Sequence, residues 1–210
     1  MNHPLGIFPR FALFSTLTVV FVCSAAMAQT PSIGVKIGVP IMQPFLQTAP
    51  STNYSFDTPR FTVGPAVGLN LSDSLSVEAN ALWRRLKYQT ATPSASTTAT
   101  SWELPFLFKA SLPVEGQPVF GDIGFSFRHS AGKTQLTSTI QRDPPLELAN
   151  RWSGGLVAGG GLNLTVHNAR FLPEIRYTRW RTPAYSGNGG LFTSNLNQLD
   201  LIFGLSFVAK

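Results

Sequence analysis

The chain has 210 residues, with 16 Lys and Arg against 10 Asp and Glu, a formal net charge of +6. Only 12% of residues are charged, about half the usual share for a soluble domain, while 43% hydrophobic and 11% aromatic residues exclude a disordered polar chain. The mean hydropathy of +0.10 is too low for a bundle of membrane helices, and the scattered basic residues form no patch of the kind that reads nucleic acid.

The first 28 residues read as a secretory signal peptide. Arg10 supplies the positive start, Phe11 to Val22 the apolar run, and Ser24 to Ala28 the small-residue exit, so cleavage is expected between Ala28 and Gln29. Lipidation at Cys23 is rejected because Val22 stands where a small residue is needed. Cys23 is the one cysteine, so the mature chain has neither disulfide nor thiol chemistry. Loss of Arg10 lowers the net charge from +6 to +5.

Beyond Gln29 no apolar stretch is long enough for a membrane helix, and the prevailing pattern is a period of two. In chain order, apolar alternation runs over Ile33 to Ile41, Phe61 to Leu69, Leu75 to Trp83, Trp102 to Phe108, Val119 to Phe127, Leu156 to Val166, Phe171 to Tyr177 and Leu199 to Phe207. That makes eight strands of about ten to fourteen residues, long enough to cross a bilayer when tilted. The second face carries Gly and isolated charges of both signs, which suits a crowded lumen better than a solvated sheet. Short links near Ser72, Glu115 and His167 alternate with longer polar loops near 43–59, 89–100, 129–151 and 182–196, as periplasmic turns and extracellular loops do. Trp83, Tyr88, Trp102, Trp152, Tyr177 and Trp180 fall at strand ends beside the long loops and are expected to form an interface aromatic belt.

The stretches SVEANALWRRLKY, SWELPFLFKASL, GFSFRHSAG and PEIRYTRW resemble the eight-stranded outer-membrane β-barrels of bacteria, the OmpA/OmpX-like class, and most of all the outer membrane protein β-barrel domain group. The resemblance runs over the whole mature chain, although members often end on an aromatic residue and this chain ends Phe207-Val208-Ala209-Lys210. It implies an all-β fold: an eight-stranded antiparallel up-and-down transmembrane β-barrel over residues 29–210, in the outer membrane of a Gram-negative-type cell. The implied partners are lipid, lipopolysaccharide and the barrel-assembly machinery, with the protein a monomer.

On that phase the inward face carries Lys36, Arg60, Arg84, Lys109, Arg128 and Arg176 with Glu78, Glu103, Asp122, Glu174 and Asp200. Eight strands enclose room for side chains only, and a buried charge left unpaired costs about 3–5 kcal/mol, so these residues are expected to form a structural ion-pair network that plugs the lumen. The leading functional expectation is a structural or surface-interaction role, with four loops displayed to an extracellular ligand. Loop 89–100 (QTATPSASTTAT) is expected to be mobile. The alternative is a small pore for ions or solutes.

An enzyme comes third. His129-Ser130 bears a faint similarity to the serine–histidine pair of the lipid A deacylases, with Glu147 as a conceivable orienting acid, but neighbours on a strand point to opposite faces. No catalytic, cofactor or metal site is assigned: Gly132-Lys133-Thr134 lacks the earlier glycine of a phosphate loop, Gly159-Gly160-Gly161 lies inside a strand, and His129 and His167 fall at opposite rims. Arg85, Lys87, Arg179 and Arg181 continue the outward phase just beyond the belt, where they are expected to meet lipopolysaccharide phosphates.

Overall fold

The computed structural model describes residues 30–47, 54–57, 61–90, 94–114, 117–136, 140–166, 169–187 and 191–208. The expected signal peptide and Arg60 lie outside the described residues.

In chain order the strands are β1 (Thr30–Pro40), β2 (Phe45–Gln47), β3 (Tyr54–Phe56), β4 (Thr62–Asn70), β5 (Leu75–Asn80), β6 (Leu82–Thr90), β7 (Ala95–Val114), β8 (Gln117–Gln135), β9 (Gln141–Arg142), β10 (Trp152–Leu162), β11 (Leu164–Val166), β12 (Ala169–Trp180), β13 (Phe192–Ser194) and β14 (Asn197–Val208). β5 and β6 keep one register against β4 and β7 on either side of Ala81, and β10 and β11 keep one register along β12 on either side of Asn163. Each pair therefore acts as a single strand. Eight antiparallel staves result, and β14 pairs back onto β1, so the sheet closes.

Closure sets the bore. Stepping sideways through paired residues, Thr30, Asn70, Ser76, Lys109, Asp122, Gly159, Arg176 and Asp200 lead back to β1 at Pro40, ten residues above the start. That stagger tilts the strands by roughly 40° and leaves an interior just wide enough for side chains. The same row carries Lys109, Asp122, Arg176 and Asp200, so strands far apart in sequence present their charges side by side along the lumen wall.

Polarity is inverted relative to a water-soluble sandwich. Ile33, Ile123 and Leu156 point outward with 69%, 67% and 72% of their surface exposed, while Lys36, Glu174 and Asp200 point inward with 2%, 1% and 2%. The outward apolar run on β7 extends from Trp102 to Leu112, a band about 25 Å tall on a tilted strand.

Two staves are longer than the alternation implies: β7 has 20 residues and β8 has 19. Most of what reads as polar loop at 89–100, and the start of 129–151, is strand pairing, from Thr90↔Ala95 and Ser96↔Gln135 downward. The composition misleads because threonine suits a strand as well as a loop. Thr97, Ala99 and Ser101 alternate inward, and the Thr97 and Thr134 hydroxyls lie 2.7 Å apart across β7 and β8. This segment is wall rather than mobile display.

Gly124 marks where neighbouring strands approach too closely for any side chain, since a Cβ there meets the Phe106 carbonyl oxygen at 1.9 Å. A Gly124→Val change is expected to cost about 1–3 kcal/mol through forced strand displacement. It should lower the denaturant midpoint of the refolded barrel. Gly154→Val, where a Cβ meets nothing within 4 Å, should leave that midpoint in place.

Candidate functional site

Among the described residues the inward charges gather in two groups, each with equal numbers of cations and anions. Nearer the short turns, Glu174 of β12 lies 2.9 Å from Lys36 Nζ, 3.3 Å from Lys109 Nζ and 2.6 Å from Arg176 Nε. Glu78 of β5 takes Lys36 from the other side, with Lys109 at 3.2 Å, Arg176 at 3.8 Å and the Asn80 amide donating at 3.0 Å. Asp122 completes the set, 3.7 Å from Lys109. Neither Asp122 oxygen and neither Arg176 Nη nitrogen has a hydrogen-bond partner in the protein. Gly159, paired with both residues, leaves the wall between them bare.

The second group sits closer to the long loops. Arg84 Nη2 donates to both oxygens of Asp200 at 3.0 Å, and its Nε lies 3.5 Å from Glu103. Gln198 ties the two acids together, its amide donating to Glu103 at 2.9 Å and to Asp200 at 2.7 Å. Arg128 lies over the Trp180 ring at 4.2 Å and donates to the Thr182 carbonyl at 3.4 Å. Below the first group a polar cavity of about 250 Å³ opens at the short-turn end, lined by Ser32, Asn70, Ser76 and Ser206 with Lys36 and Glu78 at its floor.

The long-loop end carries a lid with its own apolar core. Phe45, Tyr54, Phe56, Tyr88, Tyr185 and Phe192 pack ring against ring, mostly edge to face with Phe45 and Phe56 stacked, at centroid distances of 4.7 to 6.5 Å. Such pairs contribute about 0.5–1.5 kcal/mol each beyond the area they bury. β2 and β13 pair to join the first loop to the fourth. The third loop is stitched to the fourth by Ala149 N–H to the Ala184 carbonyl and Ser186 N–H to the Glu147 carbonyl, both 2.8 Å. The Tyr88 hydroxyl donates to Glu147 at 3.1 Å, and the Tyr185 hydroxyl to the Ala131 carbonyl at 3.1 Å. Burial pushes the Tyr185 phenol above its usual range, so it stays a neutral donor.

The expected site residues divide accordingly. Lys36, Glu78, Lys109, Asp122, Glu174 and Arg176 come together, as do Arg84, Glu103 and Asp200, with Arg128 facing Trp180. Of the expected belt, Trp83, Trp102 and Trp152 form one row with Val63 and His129 across neighbouring strands, and Tyr177 also points outward. Tyr88 and Trp180 do not belong to it, being 0% and 1% exposed. Period two puts Tyr88 on the face of Arg84 and Trp180 on the face of Arg176, so strand-end position alone misleads where phase decides. Arg85, Lys87, Arg179 and Arg181 point outward above the belt. Lys87 pairs loosely with Asp57 at 3.8 Å, while Arg179 donates to the Asn197 side chain at 2.7 Å. His129 lies outside against Trp152 and Ser130 lies buried inside, so the two side chains do not meet. Glu147, the conceivable acid, is engaged by Tyr88. The lid is what composition missed, and its signal was the presence of Phe45, Tyr54, Phe56, Tyr185 and Phe192 inside supposedly polar loops.

Glu174 is the hub of the first group, so Glu174→Gln leaves three buried cations facing two acids. The expected loss is about 3–5 kcal/mol of barrel stability, read as a lower denaturant midpoint. Adding Lys36→Met should recover part of that loss, so that the double mutant loses less than the two single changes summed, a coupling energy opposite in sign to the single losses in a double-mutant cycle.

The profile of the outer membrane protein β-barrel domain matches residues 14–207. Among solved structures, OprG from Pseudomonas aeruginosa is 12% identical and superimposes with a TM-score of 0.53 over 86% of this chain and 95% of its own. Ail, the attachment invasion locus protein of Yersinia pestis, is 11% identical with a TM-score of 0.47 over 86% of this chain and 97% of its own. No curated protein matches the sequence. At such identities the structural likeness speaks for the fold alone. The closed ring, the inverted polarity and a profile match over nearly the full length lead to one assignment: the chain belongs to the outer membrane protein β-barrel domain family.

Proposed function

We propose that the protein is a sealed outer-membrane barrel with a structural and surface-interaction role, exported by a signal peptide that is removed after Ala28. The observation that carries this reading is the double closure of the lumen. Two charge-balanced groups cross the bore, and an aromatic lid covers the mouth above them. With short turns on the periplasmic side and long loops outside, the lid is the extracellular face. Three loops joined into one body offer a partner a preformed surface, which lowers the ordering cost of binding.

The outward bases support a seat in the outer leaflet. Arg85, Lys87, Arg179 and Arg181 stand above the tryptophan row, at the height where lipopolysaccharide carries its phosphates. Arg85 and Lys87 lie on β6, whereas Arg179 lies at the upper end of β12 and Arg181 just beyond it, so the contacts fall on opposite sides of the ring.

A small pore is the second reading, favoured by the polar atoms of Asp122 and Arg176 that make no hydrogen bond, beside the bare wall at Gly159 and Gly161. Planar-bilayer recording separates the two. Barrel whose unboiled and boiled forms differ in gel mobility, and which has demonstrably inserted, is expected to stay silent. Discrete, reproducible openings that respond to Glu174→Gln would overturn the sealed reading in favour of the pore. Separately, changing Arg85, Lys87, Arg179 and Arg181 to Gln should reduce co-purified lipopolysaccharide several-fold, and unchanged retention would refute the outer-leaflet contacts. Mass spectrometry of the membrane-embedded form should find Gln29 at the N-terminus.

A further inference from the structure

Above the tryptophan row three neighbouring staves keep rising as sheet. Their outward phase puts Arg85↔Thr100↔Ala131 in the first row, Lys87↔Thr98↔Lys133 in the second and Gln89↔Ser96↔Gln135 in the third. The third row widens at both ends, because Ser55 of β3 pairs with Gln89 and Gln141 of β9 pairs with Gln135. With about 3.3 Å per residue on strands tilted by roughly 40°, the rows stand about 5, 10 and 15 Å above the tryptophans. The opposite face of these strands carries Tyr54, Phe56, Leu86, Tyr88 and Ala99 of the lid core, so packing holds the outward face in one shape.

Its chemistry breaks with the apolar band below. The largest purely apolar side chain in the three rows is Ala131, and hydroxyls and amides, which both donate and accept, surround the bases. Acids stand only at the flanks, Asp57 at 3.8 Å from Lys87 and Asp143 at 3.9 Å from Lys133. Ion pairs so exposed contribute little, and an incoming anion displaces them at small cost. Lys87 and Lys133 are two strand spacings apart, about 9.6 Å at the backbone, with Thr98 between them. Place then selects the occupant. This face looks sideways along the membrane, not away from it, and it rises from the level of Arg85. Its neighbour at that height is the sugar region of an adjoining lipopolysaccharide, where carboxylates and phosphates lie among hydroxyls.

We infer that the outward face of β6, β7 and β8 binds the anionic core saccharide of a neighbouring lipopolysaccharide molecule, its acidic groups on Lys87 and Lys133 and its hydroxyls on Thr98, Gln89, Ser96 and Gln135. The inference rests on the outer-leaflet reading above and adds to it a ligand class, sugar beyond the lipid phosphates, and one side of the ring.

Core oligosaccharide freed from its lipid by mild acid is the probe, titrated into the full barrel in phospholipid discs and followed by backbone amide NMR. Shifts are expected to concentrate at Thr98, Lys133 and Gln135 and to shrink with added salt, and Lys133→Glu should weaken the binding several-fold. Arg142→Glu makes the same charge change at an exposed position that pairs with the inward Thr134, and it should leave the titration as it is. Heat-modifiable gel mobility checks that both variants fold. In co-purification, the unaltered protein should retain core-bearing lipopolysaccharide several-fold better than a core-less form, and Lys133→Glu should lose only that advantage. Retention of the core-less form tests the outer-leaflet contacts, whereas the lipid-free titration tests the sugar site by itself. Shifts spread over the lid, an unaltered titration in Lys133→Glu, or equal retention of the two lipopolysaccharides would each overturn the assignment. So would a sulfated glycosaminoglycan fragment that binds this face more tightly than the core does.

Discussion

A ring of eight strands with a stagger of ten residues has no interior volume that side chains do not claim, and the rest of the structure follows from that constraint. The outward face must be apolar, so every charge that alternation places on the other face enters a space with little water. Such charges are tolerable only when matched. Among the described residues the lumen meets the requirement locally: three cations face three acids in one group, and two face two in the other. Strand pairing helps the matching, because it carries Lys109, Asp122 and Arg176 into one sideways row although they are far apart in sequence.

Interior space is also regulated by what is missing from the wall. The inward face of β10 is thinly covered, with Gly155, Gly159 and Gly161 between Ser153 and Asn163 and Val157 the one large side chain among them. Opposite such a strip, long side chains such as Arg176 have room to lie across the bore. A Cβ at Gly159 would come within 2.7 Å of the Asp122 carboxylate, so side chains there would compete with the ion pairs for the same volume.

Much of the barrel was legible in the sequence because a strict period of two is a direct statement about two environments. Ile33 to Ile41 and Leu199 to Phe207 declare an apolar outside, and Lys36 and Asp200 a polar inside, with no tertiary knowledge. The alternation also held the facts that aromatic position obscured, since Tyr88 and Trp180 share their phase with Arg84 and Arg176. Where composition replaced phase, the reading failed. QTATPSASTTAT looks like a flexible loop by content, yet from Ser96 to Thr100 it pairs with β8, with Thr97 and Ala99 turned inward. The lid was illegible for a different reason. Its contacts join residues such as Phe45, Tyr88 and Phe192, which no local period relates, and only the closed ring brings their loops within reach.

Sharing of one apolar core among three loops has a consequence for how this surface can change. Separate loops can drift one at a time, each tolerant of substitution and insertion. Here Phe45 from the first loop packs against Tyr185 and Phe192 from the fourth, and Leu148 from the third packs beside them. An altered ring in one loop therefore disturbs the other two, and variation is confined to positions that the core does not use, such as Leu46, Ile140 and Leu146, which are exposed. Any protein that docks on the lid would meet a discontinuous surface, fixed in shape by the shared core and changeable mainly at its outward tips.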